Sequence, residues 1–218
     1  MRVSEDRYAR DLRRLNLARR LLKYQTRTQS ICDWTGMTDA RIRTLYRSYD
    51  PADVIAQRHR GPSPTATRTF IRSPILRCEA SSIAGLGCLL GVIPRKPIPD
   101  ARHKLPGIET GERLCDVFEL YRRIVPGSHF TMDQFILLTL ALSEGVDLQL
   151  AQCTHCHGAL LVDQMAADNS MCWWCRQALL NKQTRAMGAA ILAAHAAQLA
   201  VDAVPDPTLG YQQSLFDP

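Results

Sequence analysis

Aromatic residues are few in this 218-residue chain, 6% of the total, although its apolar share of 46% is ordinary for a globular protein. Long hydrophobic runs are missing too. The longest, Phe135 to Leu142, is interrupted by Thr139 and falls far short of the ~20 residues that a bilayer span demands. The opening Met-Arg-Val-Ser-Glu-Asp carries no apolar core of the kind a secretory signal requires, so the expected compartment is the reducing cytoplasm. There is no nucleophile elbow and no Gly-rich loop to cradle a phosphate, and the expectation is a protein that is not an enzyme. His103, Glu109 and Glu112 lie near one another, but in a stretch broken by Pro106 that reads as plain surface. No internal repeat is visible.

Acidic residues are scarce where basic ones concentrate. Residues 1–77 hold seventeen Lys/Arg against seven Asp/Glu, whereas residues 78–218 hold ten against fourteen. The positive excess therefore belongs to the N-terminal third, which suits a polyanionic partner because each neutralised phosphate releases condensed counterions. A solvated basic helix is the plainer alternative. Residues 4–24 read as an amphipathic helix, with Ser4 as N-cap and Tyr8, Leu12, Leu15, Ala18 and Leu22 at helical spacing. Arg10, Arg13, Arg14 and Arg20 fall on the opposite face. From Gln57 to Pro74 an Arg, Pro, Ser and Thr composition predicts an extended basic loop.

The strongest chemical signal is a pair of Cys-x-x-Cys motifs, Cys153/Cys156 and Cys172/Cys175, separated by fifteen residues. Each pair bends two sulfurs onto one ion, and the intervening stretch fits a short hairpin, so four thiolates close a tetrahedral site. One structural zinc ion per chain is expected, since a four-thiolate site keeps no open position for a water. His155 or His157 replacing one ligand, and a redox dithiol, are the alternatives. Gly158 is expected to give the knuckle its permissive backbone. Cys32, Cys78, Cys88 and Cys115 are scattered singly and read as small buried hydrophobes.

Residues 28–48 have the internal logic of a helix-turn-helix. Ile31 faces inward from the first helix, and small Cys32 admits the second. Gly36 adopts the left-handed turn, Met37 plugs the corner, and Ile42 with Leu45 buries the inner face of the second helix. Thr38, Asp39, Arg41, Arg43, Thr44 and Arg47 remain for the outer face, and Thr38, Arg41, Arg43, Thr44 and Arg47 are the candidate DNA-binding residues. Thr35 departs from the pattern, because an apolar residue is usual there. Further apolar helical patterns at 75–91, 112–125 and 131–144 predict a packed core. The prolines between 94 and 106, and Pro126-Gly127, separate them. An Ala-rich helix is predicted over 182–203, where His195 reads as a half-buried surface residue. The fold class expected is mainly α: a helical body (1–146), a zinc ribbon (147–180), the Ala-rich helix (181–203) and a flexible tail (204–218).

The order of these features, with particular residues, is similar to a known family. The residues are Arg41-Ile-Arg-Thr-Leu-Tyr46, Arg60-Gly-Pro-Ser-Pro64 with Phe70, Leu120-Tyr121, Glu144-Gly-Val-Asp-Leu-Gln-Leu150 and the four paired cysteines. Over roughly residues 10–178 the chain resembles the FlhC family, the C subunit of the bacterial flagellar master transcriptional activator. The resemblance implies a non-enzymatic activator of flagellar and motility genes. Such a subunit binds double-stranded DNA in a hetero-oligomer with a D-type subunit, carries structural zinc and recruits RNA polymerase. Mobile elements also carry homologues of this family, so flagellar genes need not be the targets. The runner-up is a zinc-ribbon adaptor that joins a nucleoprotein complex without reading DNA. The resemblance does not extend over the last 35 or so residues, where Gln212-Gln-Ser-Leu-Phe216 is similar to peptides that dock on the DNA sliding clamp.

Overall fold

The computed structural model describes residues 2–48, 66–165 and 170–202. The Arg-Gly-Pro-Ser-Pro segment with the rest of residues 57–65, the C-terminal tail and the side chain of His195 lie outside the described residues, and the described remainder of the predicted extended loop is partly helical, over Thr69–Arg72 and from Pro74 onward. The chain divides into two compact units, residues 1–172 and 173–218. It is mainly helical, with one two-stranded sheet.

Three helices begin the first unit: α1 (Arg2–Lys23), α2 (Thr28–Thr35) and α3 (Asp39–Ser48). They are followed by the short α4 (Thr69–Arg72), α5 (Pro74–Leu89), the short α6 (Ala101–Lys104), α7 (Ile108–Ile124) and α8 (Met132–Glu144). An antiparallel hairpin, β1 (Leu148–Gln152) and β2 (Ala159–Asp163), ends the unit. The helix α1 begins ahead of Ser4, so Ser4 is not its cap. The helix α7 begins at Ile108, which places Glu109 and Glu112 on a helix and not in a loop.

The core forms around α8, whose side chains are buried on almost every face, from Met132 through Phe135 and Leu138 to Leu142. Thr131 and Gln134 close a capping box at its start, which satisfies two backbone donors that a buried helix end leaves orphaned. The broad apolar face of residues 131–144 is therefore consumed inside the molecule. It offers no spare surface to a partner.

The scarce aromatics gather here. Phe118 stacks on Phe135 with ring centroids 6.3 Å apart and meets Tyr24 edge-on at 5.0 Å, while Phe130 contacts both Phe70 and Tyr121. Four of the five phenylalanines thus meet in one core.

The helix α5 carries the hairpin. A Cβ on Gly85 would approach the Cβ of Ala159 to 3.0 Å, so glycine lets β2 lie close against the helix. Ser81 Oγ accepts the Leu161 N–H (2.9 Å), and Arg77 Nε donates to the Leu161 carbonyl (2.8 Å). These bonds satisfy the outward backbone of β2. Leu148 and Leu161 belong to the same core as the helices. The hairpin thus packs as part of the body. The sequence-based boundary at 146/147 does not separate it, and the chain divides instead after Cys172.

The second unit contains α9 (Trp173–Asp202), which starts nine residues before the predicted Ala-rich helix. Its described apolar side chains, including Trp174, Leu180, Met187, Ile191 and Leu192, are exposed. No helix among the described residues is long and apolar enough to cross a membrane.

Candidate metal centre and helix-turn-helix surface

At the tip of the hairpin the backbone folds into a knuckle. Cys153 N–H donates to the Gly158 carbonyl (2.9 Å), and His157 N–H returns to the Cys153 carbonyl (2.9 Å). The residue in the left-handed conformation is His157, at φ 58°, and not Gly158. A Cβ on Gly158 would stand at an ordinary 3.4 Å from Cys156 Sγ, so nothing steric demands glycine there. Thr154 bonds through both N–H and Oγ1 to the Ser170 carbonyl, bringing the second cysteine pair to the knuckle. Cys172 immediately precedes α9 and Cys175 lies in its first turn.

The ligand sulfurs of Cys153, Cys156, Cys172 and Cys175 all lie within 4.8 Å of one another, a cluster able to hold a metal ion. Cys156 Sγ and Cys172 Sγ are 3.8 Å apart. Backbone N–H groups of Cys156 and Cys172 point at the Cys153 sulfur, the latter from 3.3 Å, and hold its thiol down to about 5 against the opposing effect of burial. A thiolate at neutral pH is the form that binds metal. His155 and His157 are exposed and are not part of the cluster.

The other four cysteines behave differently. Cys115 is fully buried, whereas Cys32, Cys78 and Cys88 are only half-buried, more open than predicted. Burial pushes the Cys115 thiol up to about 12 and raises those of Cys32 and Cys88, which keeps them protonated.

The helix-turn-helix is built largely as its sequence implies. Ile31, Trp34, Met37, Ile42 and Leu45 are buried, and Gly36 ends α2 at φ 66°. Thr35 is buried as well. Its hydroxyl donates to the Ile31 carbonyl (2.6 Å) and accepts the Met37 N–H (3.2 Å), so the polar side chain stitches the turn that an apolar residue would only fill. Asp133 of α8 accepts from Arg27 N–H and Ser30 Oγ, tying the start of α2 to the central helix. On α3 the side chains of Asp39, Arg41, Arg43, Thr44 and Arg47 are exposed, as is Thr38 just before it. Thr38 Oγ1 accepts the Arg41 N–H (3.4 Å) and so caps the helix. Arg43 pairs with Asp39 at 2.8 Å.

The basic face of α1 is another matter. Arg13 is bound to Glu112 (2.5 Å), and Arg20 to Asp116 (2.6 Å) and Glu119 (3.0 Å), all on α7. Burial pulls the Arg20 guanidinium down, but its two carboxylate partners outweigh this and leave it raised. Arg14 pairs with Asp11. Arg13, Arg14 and Arg20, read as part of a polyanion-facing surface, are thus engaged within the protein. Leu17, Ala18, Leu21 and Leu22 form the buried side, while Tyr8 and Leu12 stand exposed.

Neither the protein-family models nor the curated proteins contain a match to this chain.

Proposed function

We propose that this chain is a DNA-binding subunit of a transcriptional activator, held at its C-terminal knuckle by structural zinc. The observation that carries the reading is the outer face of α3: three arginines and two threonines stand exposed on or just before a helix whose inner residues, Ile42 and Leu45, are locked into the core. Among the described residues Arg41 and Arg47 have no ion-pair partner, which leaves their guanidinium groups available for guanine edges or phosphates. The similarity to the FlhC family adds the biology. The subunit works in the bacterial cytoplasm on flagellar and motility genes, in a hetero-oligomer with a D-type subunit, and engages RNA polymerase. The exposed apolar residues along α9 support a partner-bound state, and α8 does not. Zinc suits the cysteine cluster. Four sulfurs ~2.3 Å from a tetrahedral ion stand ~3.8 Å apart, the separation of Cys156 and Cys172.

Single alanine variants with the D-type subunit present test the interface. Arg41→Ala or Arg47→Ala is expected to cost ~1–3 kcal/mol where the arginine reads a base, and to lower the salt slope by about 1 where it neutralises a phosphate. Asp39→Asn is expected to act in the opposite direction, because it releases Arg43 and removes a carboxylate that faces the duplex. Unchanged affinity in all three variants would leave the adaptor reading in its place.

A further inference from the structure

The hairpin has one satisfied edge and one open edge. Leu161 turns its N–H and C=O away from β1 and toward α5, which makes Leu150 and Leu161 a non-hydrogen-bonded pair of the ladder. The flanking bonds fix the same phase: Gln164 N–H donates to the Asp147 carbonyl, and Cys153 N–H to that of Gly158. Leu148, Leu150 and Gln152 therefore direct their backbone groups to the outer side of β1; Leu148 is buried there, whereas Leu150 and Gln152 are partly or fully exposed and, among the described residues, have no hydrogen-bond partner on that side.

Along this edge runs a groove of about 360 Å³, floored by Cys88, Ile93, Leu142, Leu148 and Leu150. Leu89 and Leu90, which follow Cys88 in the chain, and Val146, which follows Gly145, are exposed. Arg95 is the one charged residue in its lining, Lys96 follows it, and neither has an ion-pair partner among the described residues.

We propose that the outer edge of β1 docks an extended, acidic segment of a partner protein, which adds as a third strand and lays alternate side chains into this groove. Unpaired strand N–H and C=O groups demand an extended backbone, the apolar floor takes every second side chain, and the cationic rim selects carboxylates. A second copy of this chain fits less well, because edge-to-edge pairing would set the same cationic rim against itself. The assignment is independent of whether α3 reads DNA.

The test uses the zinc-loaded full-length chain and three acetylated eight-residue peptides: alternating Asp and Val, alternating Lys and Val, and the Asp/Val peptide with every backbone nitrogen methylated. The Asp/Val peptide is expected to slow amide exchange at Leu150 and Gln152, and the other two are expected to leave it unchanged. Arg95→Glu with Lys96→Glu, both exposed, should abolish the response to Asp/Val and transfer it to Lys/Val. The proposal is overturned if Asp/Val leaves both amides unprotected, or if the methylated peptide protects them equally. It is also overturned if they become protected without peptide as protein concentration rises, which would assign the edge to a second copy.

Discussion

Removing the proposed zinc with a chelator is expected to unfold the knuckle, residues 153–158 and 172–175, while the strands behind it, β1 and β2, stay paired. Structural zinc in small modules contributes on the order of 10 kcal/mol at neutral pH, and few other interactions hold the knuckle: Cys156 is exposed and Cys172 only half-buried. The hairpin has other anchors, because Leu148 and Leu161 lie in the core and Ser81 and Arg77 bind the Leu161 backbone. Amide exchange should therefore accelerate at 153–158 and 172–175 but stay slow at Leu160 and Leu161. Acidification drives the same release, since protons compete with the metal for thiolates. Cys153, held down to about 5, keeps its thiolate until the pH falls to that range. Native protein without zinc, or full metal content in the Cys172→Ala/Cys175→Ala double variant, would refute the site.

Phe135→Ala should be the most damaging single substitution in the body. The ring is fully buried, stacks on Phe118 and occupies the middle of α8. Truncating a buried phenylalanine costs ~3–5 kcal/mol through lost burial and the cavity left behind, a large part of the ~5–15 kcal/mol that stabilises a typical domain. Denaturant unfolding measures it directly. A loss below about 1 kcal/mol would mean that α8 is not the centre of the core.

The helix-turn-helix and the cysteine cluster were legible because their constraints are local. Gly36, Ile42 and Leu45 sit within one or two turns of each other, and the Cys-x-x-Cys spacing is itself the geometry of a knuckle. The pairing of α1 with α7 was not legible. Arg13 and Arg20 find Glu112, Asp116 and Glu119 more than ninety residues away, and a local charge pattern reads such arginines as free. The same limit explains α8. An apolar stripe looks like spare surface until α5, α7 and the hairpin are known to surround it. The early start of α9 was hidden because Trp-Trp-Cys is a weak helix former beside the alanines that follow, and Cys175 fell within its first turn. The φ of 58° at His157 carried no warning in the sequence, since glycine follows at the next position.

That α3 reads DNA is tested most directly by selection from a random duplex library, using the zinc-loaded chain with a D-type subunit. In parallel, the same selection is run with Arg41, Arg43, Thr44 and Arg47 all changed to alanine. The account predicts that the natural sequence enriches a defined site, and that the quadruple variant binds duplex weakly and enriches nothing. Enrichment of the same site by both proteins, or of none by either, would contradict it.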